Sequence, residues 1–108
     1  MIAISDWLST EFSAALSIKL RTGQIQAADR AHALAIFKRL RDYSFQVYPI
    51  STLHFQSAAN FADNFALGLR AGDALHLAIA NANAATLVTF DRKLLTAAAA
   101  LNIPAVSP

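Results

Sequence analysis

The 108-residue sequence contains no cysteine, a single glutamate and only three glycines. Without cysteine there is no disulfide framework and no thiolate metal site, so any metal ion must be held by oxygen or nitrogen ligands. The longest uncharged stretches, 43–62 and 74–90, are interrupted by His, Asn, Ser or Thr, which excludes a membrane span. The first residues lack the basic region and apolar run of a signal peptide. We therefore expect a cytoplasmic protein.

Apolar residues make up 56% of the chain, while the formal net charge is only +2. A chain of this length and composition buries enough surface for one core, which excludes a disordered protein. Residues 1–108 are therefore expected to form a single globular domain.

Helical and extended patterns alternate along the chain. Apolar spacing, capping residues and stop signals predict helices at about 6–20, 27–41, 51–67, 73–85 and 91–100, and strands at about 2–4, 45–48, 86–90 and 103–106. Strands separated by helices pair in parallel through crossovers, which predicts a three-layer α/β domain with a short parallel sheet. Ligands of such sheets bind beyond the carboxyl ends of the strands, here near Ser5, Pro49, Asp91 and Ser107.

Glu11, the only glutamate, occupies an unusual position in the first predicted helix. On a helical projection it lies in the middle of an apolar face, which is formed by Trp7, Leu8, Ala14, Ala15 and Ile18. An ionised carboxylate on the core side is unfavourable unless protonation, a basic partner or a cation compensates it. A glutamate that pairs with an arginine at the rim of the core is the structural alternative.

Asp73 and Asp91 both stand where a predicted helix begins, and each one alone is explained as an N-cap. Asp91 also follows the strongest predicted strand, and Asp73 leads the most apolar helix, so both are expected to face the crevice that receives Glu11. Three converging carboxylates repel one another unless a divalent cation neutralises them. Oxygen ligands favour Mg²⁺ or Mn²⁺ over Zn²⁺, and such a site suits hydrolysis of a phosphodiester by metal-activated water.

The three histidines offer no competing site. His32 and His54 lie inside predicted helices without a partner at metal-ligand spacing, and we interpret them as surface or packing residues. His76 follows Asp73 by one turn and would lie near the acidic cluster, although a structural role is the simpler interpretation. The sequence also contains no glycine-rich phosphate loop and no nucleophile elbow.

Basic residues are concentrated between Lys19 and Arg41, where six of them accompany one acid, Asp29. Such a segment attracts an RNA backbone or an acidic partner helix. The structural alternative is the preference of helix C-termini for Lys and Arg.

Glu11, Asp73 and Asp91 occur in the segments 5–12 (SDWLSTEF), 69–78 (LRAGDALHLA) and 87–94 (LVTFDRKL). In this order and spacing the segments resemble the PIN-domain ribonucleases, in particular the VapC-type toxins of bacterial toxin–antitoxin pairs. The resemblance implies a Mg²⁺- or Mn²⁺-dependent endoribonuclease, usually dimeric, that cleaves structured RNA such as tRNA and is inhibited by a cognate antitoxin. By motif matching, the three residues take three of the four acidic, metal-binding catalytic positions of that family.

The sequence departs from this pattern at its start. PIN domains of this type begin with a strand that ends in Asp, whereas this sequence begins at what would be the second strand. We therefore expect a chain that lacks the central strand and the first metal ligand, with unpaired backbone groups and exposed apolar surface. The hypothesis is a truncated or misassigned start, and the chain as given is expected to cleave RNA feebly or not at all.

Two other functions remain open. A catalytically impaired PIN remnant would act as an antitoxin-binding or dimerisation module, and it is distinguished from a nuclease by titration with Mn²⁺. An unrelated α/β domain would use its acidic residues only as helix caps, and Glu11→Gln would then be neutral or stabilising.

Overall fold

The computed structural model describes residues 2–108, which form two compact units, one ending at Pro49 and the other running from Ile50 to Pro108. Each unit combines helices with one pair of short parallel strands. The described residues contain five α-helices, so the protein belongs to the predicted mixed α/β class. In this part of the chain, every helix is too short or too polar to cross a membrane.

The first unit consists of two strands separated in sequence by two helices. Strand β1 (Ala3–Ser5) leads directly into α1 (Asp6–Arg21), and α2 (Ala27–Tyr43) leads into β2 (Gln46–Tyr48). The two strands are parallel, and Ile4 lies opposite Val47 in the register. The parallel pairing agrees with the prediction.

Aromatic rings and one ion pair connect the two helices of the first unit. Phe12 stacks on Phe37 with ring centroids 4.5 Å apart, and Phe45 meets Phe37 edge to face at 6.5 Å. At the start of α1, Asp6 accepts a hydrogen bond from Arg41 and forms an ion pair with it. The Asp6 carboxylate raises the pKa of Arg41, mainly through this hydrogen bond and then through charge attraction.

The apolar face predicted for α1 is only partly buried. Glu11 is half-buried, but Ala14, Ala15 and Ile18 on the same face are exposed. The prediction that this face forms the core side is therefore wrong for the C-terminal half of the helix. Phe12, on a neighbouring stripe, makes the contact with α2 instead. Helical periodicity identifies apolar stripes, but it does not identify which stripe meets a partner.

The second unit begins with two helices. Helix α3 (Thr52–Asp63) is followed by a 3₁₀ turn (Phe65–Leu67) and then by α4 (Ala71–Ala82). The single helix predicted at 51–67 is therefore shorter, because the backbone of Asn64 leaves the helical conformation at φ −76° and ψ 84°.

A parallel pair of strands completes the second unit. Strand β3 (Leu87–Val88) is connected by α5 (Arg92–Ala100) to β4 (Ala105–Val106). Leu87 pairs with Ala105, and both side chains pack against the core; Val88 pairs with Val106. Because successive side chains of a strand alternate between faces, Val88 and Val106 lie on the opposite face, where both are exposed.

The core of the second unit is built around α4. Six of the twelve residues of this helix are buried, and Leu77 is fully enclosed, with 0% exposure. Leu77 packs in a cluster with Leu94 and Ala98 of α5 and with Ile103. This burial is explained by the nearly continuous apolar sequence of α4.

Gly68 ends the 3₁₀ turn in the left-handed region at φ +62°, and nothing lies within 4 Å of the position that a Cβ atom would take. Substitution there is therefore opposed by the backbone alone. We expect Gly68→Ala to lower the free energy of unfolding by roughly 1–2 kcal/mol, measured by urea denaturation. Gly68→Asn should cost less, since asparagine tolerates this conformation. Equal losses for both variants would contradict the backbone explanation.

Candidate metal and RNA site

Asp91 lies between the end of β3 and the start of α5, and its side chain is exposed. Its Oδ1 accepts hydrogen bonds from the backbone N–H groups of Lys93 (2.9 Å) and Leu94 (3.3 Å). Its own backbone N–H donates to Oγ1 of Thr89 at 3.1 Å. These bonds confirm the predicted N-cap. Within residues 2–108 the other carboxylate oxygen, Oδ2, accepts no hydrogen bond, so it is the oxygen available to a ligand.

Asp73 is not the N-cap of α4, contrary to the prediction. The helix begins two residues earlier, at Ala71, with Arg70 in the N-cap position, and Asp73 therefore lies in its first turn. The prediction relied on the capping preference of aspartate, which the fold overrides at this point. An acidic side chain in the first turn is favoured by the helix dipole. Asp73 is half-buried.

The topology of the second unit brings Asp73 and Asp91 to the same end. Helix α4 contacts β3, and only residues 83–86 connect them, so the chain must reverse its direction there. The 12 residues of α4 rise about 18 Å. The extended segment 87–91 returns over roughly 16 Å. The first turn of α4 and the residues after β3 therefore lie at one end of the unit.

Glu11 belongs to the first unit, where it occupies the middle of α1. The three sequence-predicted ligands are thus divided between the units, with Asp73 and Asp91 together in the second. In the described part of the chain, no three side chains of His, Asp or Glu form a group that would hold a metal ion.

Asp73 and Asp91 supply hard oxygen donors, which are the kind of ligand that divalent cations such as Mg²⁺ and Mn²⁺ prefer. Mg²⁺ keeps several water ligands and usually takes one or two carboxylates, with substrate phosphates completing its shell. Asp91 would bind through Oδ2, because Oδ1 is engaged by the backbone of α5. The oxygen ligands and the absence of cysteine make this donor set a poor match for zinc.

A cavity of about 330 Å³ lies beyond the carboxyl ends of β3 and β4, and it is lined by Phe90, Arg92, Leu95, Thr96 and Ser107. Sequence reasoning placed Ser107 in the ligand-binding neighbourhood but missed the other four residues. For Phe90, the alternation of side chains along a strand could have identified it. Phe90 follows the exposed Val88 by two residues, and this spacing indicates an outward-facing aromatic ring.

His54 has a local role that sequence analysis did not identify. Its Nδ1 accepts a hydrogen bond from the backbone N–H of Ser51 at 3.0 Å, and the Ser51 side chain accepts one in return from the backbone of residue 54. This reciprocal capping box starts α3. His32 is exposed, and His76 is half-buried on α4.

Helix-end preferences explain only part of the basic segment 19–41. Lys19, Arg21 and Arg41 occupy last turns, whereas Lys38 and Arg39 precede the last turn of α2. Among the six basic residues, ion pairs within residues 2–108 are formed by Arg41 alone. Positive charge is therefore available on the surface of the first unit.

The chain matches the PIN domain over residues 11–100, a span that includes Glu11, Asp73 and Asp91. The match covers most of the sequence, and the protein belongs to the PIN domain family. PIN domains are generally nucleases and generally use divalent metal ions. No curated protein and no solved structure matches the chain at a significant level.

Proposed function

We propose that the protein is a metal-dependent endoribonuclease in which Glu11, Asp73 and Asp91 ligate Mg²⁺ or Mn²⁺. The PIN match over residues 11–100 carries the proposal, since it spans all three acidic residues. The shared end of Asp73 and Asp91 supports it further, as does the available Oδ2 atom of Asp91.

In the proposed hydrolysis, Asp91 and Asp73 would act as metal ligands. The two hydrogen bonds to Oδ1 fix the Asp91 carboxylate, so little reorganisation is needed when it binds a ligand. Asp73 projects from the first turn of the most buried helix, which holds its backbone rigid. A bound divalent cation supplies charge stabilisation of the scissile phosphate and lowers the pKa of water. The basic residues of segment 19–41 would attract the RNA backbone.

The VapC-like segments extend the proposal to a biological role. In it, the protein is the toxin of a toxin–antitoxin pair, acts on structured RNA such as tRNA, forms a homodimer and is inhibited by an antitoxin that covers the acidic site. Exposed apolar side chains support an interaction role, since large apolar surface marks protein interfaces. A PIN remnant that binds an antitoxin or a second copy without hydrolysis is the second candidate, and the same exposed apolar side chains favour it.

Cleavage of a structured RNA by the full chain, with Mn²⁺ and with EDTA, tests the proposal. We expect cleavage that requires Mn²⁺, because the proposed carboxylate ligands act only through a bound divalent cation. Asp73→Asn should lower the rate about tenfold or more, since it removes a charged ligand at nearly constant volume.

Asp63→Asn is the matched control, because Asp63 is an exposed aspartate of the same unit at the end of α3. It should leave the rate unchanged. Cleavage that persists in EDTA or in Asp73→Asn would contradict the proposed site. Complete absence of cleavage at saturating Mn²⁺ would favour the non-hydrolytic candidate.

A further inference from the structure

The cavity lined by Phe90, Arg92, Leu95, Thr96 and Ser107 is shallow and open to solvent, and it lies beyond the carboxyl ends of two parallel strands, where ligands of such sheets bind. Its volume of about 330 Å³ lies at the lower end of the range found for small-ligand sites. Phe90 and Arg92 flank Asp91 in sequence, and Ser107 follows β4. A ligand in the cavity would therefore lie beside the proposed metal ligand Asp91.

Phe90 provides an exposed aromatic surface at this cavity. Its side chain is 81% exposed. The aromatic contacts of the described residues involve Phe12, Phe37 and Phe45, so the ring of Phe90 has no aromatic partner there. A planar apolar ring in this position offers a stacking surface, and base–aromatic stacking suits any unstacked nucleobase.

Arg92 provides positive charge on the same wall. No carboxylate within residues 2–108 forms an ion pair with its guanidinium group, and no acidic side chain lines the cavity. A guanidinium group binds phosphate through paired N–H donors. The wall therefore favours a ligand with an anionic group.

The remaining lining residues complete this chemistry. Leu95 adds an apolar contact, and the hydroxyl groups of Thr96 and Ser107 add polar ones. The Thr96 hydroxyl donates to the backbone carbonyl of Arg92 at 3.0 Å and keeps its acceptor capacity. An aromatic platform, one cation and hydroxyl groups in a space of this size match a single nucleotide.

We propose that this cavity binds one unstacked base of single-stranded RNA, stacked on Phe90, and that Arg92 holds the neighbouring phosphate. The inference rests on the proposed function, since it assigns the substrate of the same site. Binding in this position selects the nucleotide that lies beside Asp91, so the cavity determines where the strand is cut.

RNA binding without metal tests the cavity separately from hydrolysis. The full chain is titrated into a fluorescently labelled single-stranded RNA in EDTA, and the dissociation constant is measured by anisotropy. We expect Phe90→Ala and Arg92→Ala each to weaken binding about tenfold. Phe65→Ala and Lys93→Ala are the matched controls. Phe65 is an aromatic residue of the same unit that is 92% exposed, and Lys93 is an exposed basic residue next to Arg92. Neither control residue lines the cavity, so both variants should bind as the wild type does.

Two further measurements separate base binding from its alternatives. An RNA with abasic sites should bind the wild type and Phe90→Ala equally, because the base is absent. Phe90→Trp should retain its affinity for RNA, and RNA should quench the fluorescence of the new tryptophan. Phe65→Trp should show only the fluorescence change that RNA causes in the native Trp7.

Wild-type affinity in Phe90→Ala would overturn the proposal, as would equal losses in Phe90→Ala and Phe65→Ala. A Phe90→Ala variant that binds RNA normally but changes from dimer to monomer in gel filtration would also overturn it, since the aromatic patch would then be a contact between copies. A failure of Mn²⁺-dependent cleavage alone would overturn the nuclease function but leave the binding result intact.

Discussion

Asp91→Asn is expected to weaken Mn²⁺ binding at least about a hundredfold while leaving the fold intact. The substitution removes the charge of a proposed direct ligand, and even outer-shell partners of metal ligands contribute roughly 10–100-fold to affinity. Asparagine is also a good N-cap, so the hydrogen bonds to the backbone of Lys93 and Leu94 can persist. Calorimetric titration with Mn²⁺ gives the affinity, and urea denaturation gives the stability.

Asp91→Ala separates the two roles of this side chain. It removes both the charge and the cap, so it should lose metal binding and also about 1 kcal/mol of stability. Asp63→Asn, the control in the same unit, should change neither quantity. If Asp91→Asn bound Mn²⁺ as tightly as the wild type, Asp91 would be a helix cap only, and the proposed metal site would be wrong.

Leu77→Ala is expected to lower the free energy of unfolding by roughly 2–5 kcal/mol, because it leaves a cavity in the core of the second unit. Leu77 is fully enclosed and packs against Leu94, Ala98 and Ile103. The total stability of small proteins is about 5–15 kcal/mol, so this single change removes a large share of it. Urea denaturation of the full chain, followed by circular dichroism, measures the loss.

Two leucine variants calibrate this result. Leu77→Met keeps most of the volume and should cost less than about 1.5 kcal/mol. Leu53→Ala removes a side chain that is 70% exposed. It should change the stability by no more than about 0.5 kcal/mol. Similar losses in Leu77→Ala and Leu53→Ala would contradict the assigned core, and Leu77→Met supplies the comparison if the alanine variant does not refold.

The elements that sequence predicts best are those with local signals. The burial of α4 follows from its apolar composition, and the start of α5 follows from the capping side chain of Asp91. The length of a strand is harder to predict from local sequence, because a strand continues only where a partner strand pairs with it. The segment predicted at 86–90 is a strand only at Leu87–Val88, opposite Ala105–Val106. Parallel pairing was likewise predictable, but the division into two separate pairs of strands depends on tertiary contacts.

The candidate site shows the same limit. The sequence predicts Asp91 both as a helix N-cap and as a candidate ligand-binding residue, because a predicted strand ends and a predicted helix begins at this position. The capping preference of aspartate misplaces the start of α4 at Asp73, since the helix already begins at Ala71. The cavity beside Asp91 was missed except for Ser107, because its wall combines residues before α5, within α5 and after β4. Such a combination becomes visible only when the strands are paired.

Helix α5 connects the proposed metal ligand Asp91 with the cavity wall. The Asp91 carboxylate anchors the first turn of α5, and Arg92, Leu95 and Thr96 of the same helix form much of the cavity wall. A redesign of sequence preference should therefore vary positions 92, 95 and 96 and keep 91 fixed. Conversely, an alanine at position 91 would loosen the start of α5 and thereby disturb RNA binding at the cavity wall. A loss of RNA binding in that variant would therefore arise without any contact between Asp91 and the nucleotide.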